Sequence, residues 1–231
     1  MSSIGQRARR RLLRILDAGV EDDVGSEIID GKGHREYVGG LWEAVSSLQF
    51  RFMVEQGLQP QHVLLDVACG SLRGGVRFIP YLEPCNYLGL DIKRELIDIG
   101  IEHELGAKLQ ALKKPEFVVS GHFEFNRFSR QPDFAIAQSL FTHLTAGDIQ
   151  LCLQNLRQVA KPNTRFYVTF FESQQPVTNP SESDPHGGFR YTRTQMAQFG
   201  AAYGWAGGYI GDWQHPRQQM MFEYSVRGGT P

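Results

Sequence analysis

The chain has 231 residues, 41% of them hydrophobic and 21% charged, with a formal charge of -1. That is a globular composition, long enough to bury a core without disulfide or metal staples. No run approaches the roughly 18 uninterrupted apolar residues of a membrane span, and 24 basic against 25 acidic side chains leave no global field to attract nucleic acid or anionic lipid.

Near the start, Arg7, Arg9, Arg10, Arg11 and Arg14 alternate with Leu12, Leu13, Ile15 and Leu16 ahead of acidic Glu21, Asp22 and Asp23, the pattern of a basic amphipathic helix. Arg14 and Asp17 interrupt its apolar run, which argues against a secretory signal. A transit peptide or a membrane-surface helix also suits the arginines; a solvated or partner-packing helix is the plainer reading. From Arg35 to Gly57, the apolar positions Tyr37, Leu41, Trp42, Val45, Leu48, Phe52 and Val54 predict one or two helices covering an edge of the main domain, with Gly39 and Gly40 at a bend. Trp42 is assigned to the core and Tyr37 to a ligand pocket. Residues 1–60 thus read as a helical appendage and 61–231 as the main domain.

Gln61 to Ala68 reads QHVLLDVA, a buried parallel strand carrying one acid, Asp66, near its carboxyl end. The turn Cys69, Gly70, Ser71, Leu72, Arg73 comes next and leads through Gly74 and Gly75 into a helix reaching Leu82. Gly70 permits a positive φ or a close backbone approach, and the amides of the next helical turn offer a positive end to a carboxylate or phosphate. Asn86 to Ile92, NYLGLDI, is a second strand, and its Asp91 lies 21 residues beyond Gly70, where a dinucleotide fold places its ribose-binding acid at about 20. The two strands and their helix form a right-handed βαβ unit. The turn lacks the GxGxxG spacing of a pyrophosphate site.

Val118 and Val119 begin the next apolar stretch, Phe134 to Leu140 reads as a fourth strand, Thr145 to Val159 as a helix with a polar cap, and Arg165 to Phe171 as a fifth strand. Glu172 to Arg190 is polar and rich in Pro and Gly, the composition of a lid. Thr192 to Tyr203 has a helical pattern, and Gly208–Trp213 with Gln219–Tyr224 make a pair of strands joined near His215, Pro216 and Arg217. Three cysteines, Cys69, Cys85 and Cys152, are odd in number and lack metal-ligand spacing, which argues for a reducing, cytoplasmic setting and for no metal.

In order and spacing, VLLDVACGSLRGG, NYLGLDI and PDFAIAQSLFTHL resemble the class I S-adenosylmethionine-dependent methyltransferases over residues 61 to 226. The resemblance implies an α/β, Rossmann-like methyltransferase fold: a mostly parallel seven-stranded sheet with helices on both faces and a C-terminal antiparallel hairpin. It implies S-adenosylmethionine as cofactor, with Asp66, Ala68, Cys69, Gly70 and Arg73 in the first motif, Asp91 on the ribose hydroxyls, and Ile92, Gly121, His122 and Phe123 about the adenine. Gln138 and Ser139 fall beside the methionine part. Two departures from the family pattern, Ala68 and Leu72 where glycine is common, bear on loop geometry.

Methyl transfer needs a base only where the acceptor must lose a proton. The candidates at strand ends are His143, Glu172 and His215, the last with Arg217 across a proline in the same turn, and His186, Arg190 and Tyr191 beside the lid are further substrate contacts. The expected reaction is methyl transfer to oxygen or nitrogen of a small molecule. An RNA methyltransferase using the basic N-terminal helix, a nucleotide-dependent oxidoreductase and a silent nucleoside-binding module stand as alternatives, and the oligomeric state, a homo-oligomer included, stays open.

Overall fold

The computed structural model describes residues 33–226, so the basic helix expected at 7–16 lies outside the described residues. Two helices, α1 (His34–Tyr37) and α2 (Trp42–Glu55), precede the sheet. β1 (Leu64–Val67), α3 (Gly75–Tyr81) and β2 (Tyr87–Asp91) form the first βαβ unit. Next come α4 (Arg94–Ile99), a π-helical turn (Gly100–Leu105), α5 (Gly106–Lys113) and β3 (Glu116–Val119). β4 (Phe134–Ala137), α6 (Ala146–Val159) and β5 (Arg165–Glu172) continue the alternation. The chain ends in the short β6 (Arg190–Tyr191), α7 (Arg193–Ala201) and the pair β7 (Trp205–Asp212) and β8 (Met220–Val226).

The strands run in the order β3-β2-β1-β4-β5-β8-β7, with β6 beside the end of β5. β1 pairs in parallel with β2 on one side and β4 on the other, so the strand order reverses at β1. In open α/β sheets that reversal opens a crevice beyond the strands' carboxyl ends. β8 is antiparallel to β5 and to β7, which places the turn between β7 and β8 at that same edge.

Side-chain alternation along the strands divides the core between two faces. Leu65 and Val67 of β1, with Leu88 and Leu90 of β2, pack in one cluster with Leu153 and Leu156 of α6 and Phe199 of α7. Leu64, Ile136 and Tyr167 pack in the other with Phe52 and Met53 of α2 and Phe78 of α3. Asp66 lies on the Leu64 face and is therefore buried. Through α2 the residues before β1 join this second cluster.

The observed elements lie within about three residues of the expected ones, except between β2 and β3, where no element was expected and three helical segments form, and at a 3-10 turn (Phe125–Arg127) and the two-residue β6, which were not expected either. The π-helical turn there owes its position to Gly100, whose backbone sits so close to the glycine turn that a Cβ would lie 2.6 Å from the Ser71 carbonyl oxygen. No helix among the described residues is long and apolar enough to cross a membrane.

Candidate functional site

After β1 the backbone turns through left-handed conformations at Ala68 (φ 62°), Gly70 (φ 54°) and Leu72 (φ 70°). Such a conformation is uncommon for residues bearing a Cβ. Leu72 sustains it because its side chain is fully buried and plugs the space left by two glycines: a Cβ on Gly75 would meet Leu72 Cβ at 3.0 Å, and one on Gly100 would meet Leu72 Cγ at 2.8 Å. Leu72 therefore anchors the turn, where the family pattern alone suggested a disturbance. α3 starts only at Gly75, so its amino end does not follow directly on Gly70.

The turn and β2 are joined by Asp91. Its Oδ2 accepts from the Gly70 N–H at 2.8 Å and its Oδ1 from the Lys93 N–H at 2.9 Å, leaving two of a carboxylate's roughly four acceptor positions. Burial raises its pKa against these backbone hydrogen bonds. Asp66 accepts from the Tyr87 hydroxyl at 2.8 Å. Burial, with the Asp91 charge adding, pushes its pKa up to about 6 although Tyr87 and Arg73 oppose. Burial likewise pushes the Cys69 thiol up, so it stays neutral.

Arg73 reaches across the crevice. Its Nη1 donates to the carbonyls of Val38 at 2.8 Å and Gly40 at 3.0 Å, and its Nη2 donates to Gln138 Oε1. Val38 to Gly40 thus form a strap over the glycine turn; Val38 Cγ1 lies 3.1 Å from where a Cβ of Gly70 would be. Arg217, from the turn between β7 and β8, donates to the Gly39 carbonyl at 2.7 Å. Beside the strap, Lys93 Nζ donates to the Tyr37 hydroxyl.

Because guanidinium carries donors only, Gln138 must present Oε1 to Arg73 and Nε2 to its other neighbours, Ser139 Oγ at 2.6 Å and His215 Nε2 at 3.0 Å. His215 is held at both ring nitrogens, Nε2 lying 3.0 Å from the Gln138 amide nitrogen and Nδ1 3.2 Å from the Arg217 backbone nitrogen. Burial, with Arg73 and Arg217 nearby, pushes the His215 pKa down to about 4. Ser139 donates its N–H to Thr169 Oγ1 at 2.7 Å, and its hydroxyl meets Gln219. The ends of β4, β5 and β8 are locked together by this polar network.

His143, in the connection from β4 to α6, places Nδ1 2.8 Å from the Gly187 carbonyl. A carbonyl only accepts, so Nδ1 carries the proton and Nε2 holds a free lone pair. Burial lowers the His143 pKa. Further bonds tie down the expected lid, among them Asp184 N–H to the His143 carbonyl at 3.0 Å, Phe189 N–H to the Thr142 carbonyl at 2.9 Å, and Thr145 N–H to Ser183 Oγ at 2.8 Å.

These elements enclose a cavity of about 480 Å³. Of the residues singled out from sequence, Tyr37, Asp66, Ala68, Cys69, Gly70, Arg73, Asp91, Ile92, Gly121, Phe123, Gln138, Ser139 and His143 line it, as do His186 and Arg217. The others are placed elsewhere. Glu172 is bound by Arg193 and by the Tyr209 hydroxyl at 2.6 Å; burial would raise its pKa, but these partners hold it below the usual carboxylate range. As a base it is corrected to a half-buried carboxylate held in an ion pair with Arg193, outside the cavity lining. The second correction is His215, which stands behind Gln138 with both ring nitrogens engaged, and the third is His122, which bonds through its backbone to Ser120 Oγ and Asn155. Tyr191 is buried with its hydroxyl on the Leu144 carbonyl at 2.7 Å, while Arg190 lies over the Phe171 ring on the surface. Sequence reasoning missed Ser120, Asp184 and Gln219 in the lining. Ser120 and Gln219 carry no motif of their own; Asp184 stood within the expected lid and could have been taken from there.

Residues 65–166 match a family model described as a methyltransferase domain. Among solved structures, the chain is similar to the magnesium protoporphyrin IX methyltransferase of Synechocystis PCC 6803 with bound S-adenosylmethionine, at TM-score 0.62 and 15% identity, over 89% of this chain and 92% of that one. It is similar to an S-adenosylmethionine-dependent methyltransferase of Clostridium acetobutylicum ATCC 824, at TM-score 0.61 and 12% identity, over 83% and 94% of the two chains. Human N-acetylserotonin methyltransferase matches at TM-score 0.62 and 13% identity, over 98% of this chain and 68% of that one.

Proposed function

The chain carries a methyltransferase domain with the fold of the class I S-adenosylmethionine-dependent enzymes, and from that premise we propose that it methylates an oxygen or nitrogen of a small molecule, with His143 as the base. The residues present fit the cofactor. Asp91 has acceptor positions left for two ribose hydroxyls, Ile92, Gly121 and Phe123 offer an apolar slot for adenine, and Arg73 and Asp66 are opposite charges suited to a carboxylate and an ammonium. About 480 Å³ is within the range of pockets that enclose small ligands. Domain limits of 61–231 for the catalytic unit and 1–60 for the appendage belong to the same reading.

S-adenosylmethionine supplies, when bound, a methyl group on a sulfonium sulfur open to in-line displacement. The chain's own contribution is to orient, to exclude water and to take a proton. The strap and the pinned lid close the crevice, and fixed positioning of two reactants accounts for roughly 7–11 kcal/mol in the best oriented reactions. His143 Nε2, unprotonated at neutral pH, accepts the proton of a hydroxyl or ammonium acceptor while the Gly187 carbonyl stabilises the imidazolium through Nδ1–H.

The observation that carries the reading is the Asp91 carboxylate bridging Gly70 and Lys93 at the strand-order reversal. A small acceptor is supported by the limited volume of the cavity and by neighbours named for a porphyrin and for N-acetylserotonin. Calorimetric titration with S-adenosylmethionine, S-adenosylhomocysteine and NAD tests it: the two sulfur nucleosides are expected to bind and NAD not. Asp91→Ala is expected to weaken both at least about tenfold, the loss of one or more hydrogen bonds to a charged group. Binding of NAD alone would refute the assignment.

A further inference from the structure

Arg73 and Arg217 converge on three consecutive carbonyls, those of Val38, Gly39 and Gly40. Among the described residues, neither guanidinium has a carboxylate within 4.0 Å. The two acids nearest the crevice floor are engaged elsewhere, Asp66 with Tyr87 and Asp91 with the Gly70 and Lys93 amides. The positive charge of this corner is felt by its neighbours: burial and then Arg217 push the Arg73 pKa down to about 10 although the Asp66 charge opposes, and both arginines help to keep His215 neutral. Two like charges at one rim repel each other and raise the free energy of the folded chain unless an anion joins them.

The two arginines differ in setting. Arg73 is half-buried, with Nη1 and Nη2 both committed to the strap and to Gln138. Arg217 is exposed at the rim, with a single side-chain hydrogen bond among the described residues, to the Gly39 carbonyl. Its backbone is nonetheless held. The turn is closed by Gln218 N–H on the His215 carbonyl at 2.9 Å and Trp213 Nε1–H on the Gln219 carbonyl at 2.9 Å, with Gln214 (φ 67°) and Gln218 (φ 55°) in left-handed conformations. A held backbone carrying a guanidinium with free donors over a cavity is suited to grip an oxyanion by two parallel N–H bonds.

Under the cofactor reading above, on which this inference rests, one carboxylate enters with the cofactor and is matched by Arg73. Arg217 is left over. We propose that the methyl acceptor carries an oxyanion, a carboxylate or a phosphate, beside the atom to be methylated, and that Arg217 is the specificity-determining residue that binds it. Acceptors lacking the anion meet an uncompensated positive rim and are selected against.

The test uses the full chain saturated with S-adenosylhomocysteine and titrated with inorganic phosphate and, separately, with benzoate; the better-bound probe identifies the class. Binding of at least one is expected, with a shift of the Arg217 Nε–Hε resonance on the unaltered chain. Arg217→Gln should weaken the anion at least about tenfold and Arg217→Glu abolish its binding, both with S-adenosylhomocysteine affinity within about twofold of the unaltered chain. Arg73→Gln should instead weaken S-adenosylhomocysteine. No anion binding in the loaded chain, an unmoved Arg217 resonance, or equal loss of S-adenosylhomocysteine in Arg217→Gln and Arg73→Gln would each overturn the proposal. Failure of the unaltered chain to bind S-adenosylhomocysteine would overturn the cofactor reading itself, a result distinct from cofactor binding without anion binding.

Discussion

Asp66 occupies the third place of β1 with its carboxyl nearly sealed from water, and the cost shows in a pKa pushed up to about 6 from 3.8. The folded chain binds this proton more tightly than the unfolded chain, so Asp66 favours folding below about pH 4 and the contribution is lost as pH rises through about 6. Asp66→Asn, which keeps an acceptor for Tyr87, is therefore expected to stabilise the chain at pH 7 by up to about 3 kcal/mol in denaturant unfolding, while weakening S-adenosylhomocysteine in calorimetry. A residue kept at the expense of stability belongs to the site. For His143 the geometry predicts an Nδ1–H tautomer and a pKa under 6.5, both readable in long-range nitrogen–proton spectra of the imidazole. With a turned-over acceptor, kcat should fall as pH drops through that pKa and be flat above it. His143→Ala should lose about 10²–10⁴-fold in kcat together with that acid limb; an Nε2–H tautomer would remove the base.

The strand-turn-helix from Leu64 to Tyr81 was legible because its signals are local: an apolar run of strand length, then Gly70, Gly74 and Gly75 at fixed places. Asp91 was legible for the same reason, since one βαβ unit sets its distance from Gly70. The helical stretch between β2 and β3 was not. Its place depends on Gly100 meeting the Ser71 carbonyl, a contact between segments that no periodicity reports. Gly100→Ala is expected to cost about 1–3 kcal/mol, as overpacking against backbone does, seen as a lower denaturation midpoint with an unchanged slope. The effect should reach the site, because the turn that carries Gly70 and Leu72 must shift to admit the methyl group.

On the scale of the whole molecule, the cavity is assembled from parts far apart in sequence: the strap before β1, the turns after β1, β2 and β4, the pinned lid and the closing turn before β8. A ligand that joins so many elements binds the folded chain alone, so S-adenosylhomocysteine at about 100 times its Kd should stabilise by about 2.7 kcal/mol and raise Tm by roughly 5–10 °C. Asp91→Ala should remove about half of that shift or more at the same concentration in a calorimetric scan. The amino-acid sequence by itself determined the α/β alternation, the glycine turn and the two acids at neighbouring strand ends, because strand periodicity and backbone freedom are properties of short segments. Which side chains then share one cavity was decided only by the tertiary structure. Glu172 ends one strand and His143 follows another, yet Arg193 and Tyr209 bind the first outside the cavity while the Gly187 carbonyl holds the other in its lining. Arg217 meets Gly39 across a separation of 178 residues. Such partnerships depend on how the sheet orders its strands, and that order is settled by burial summed over the whole core rather than by any one stretch of chain.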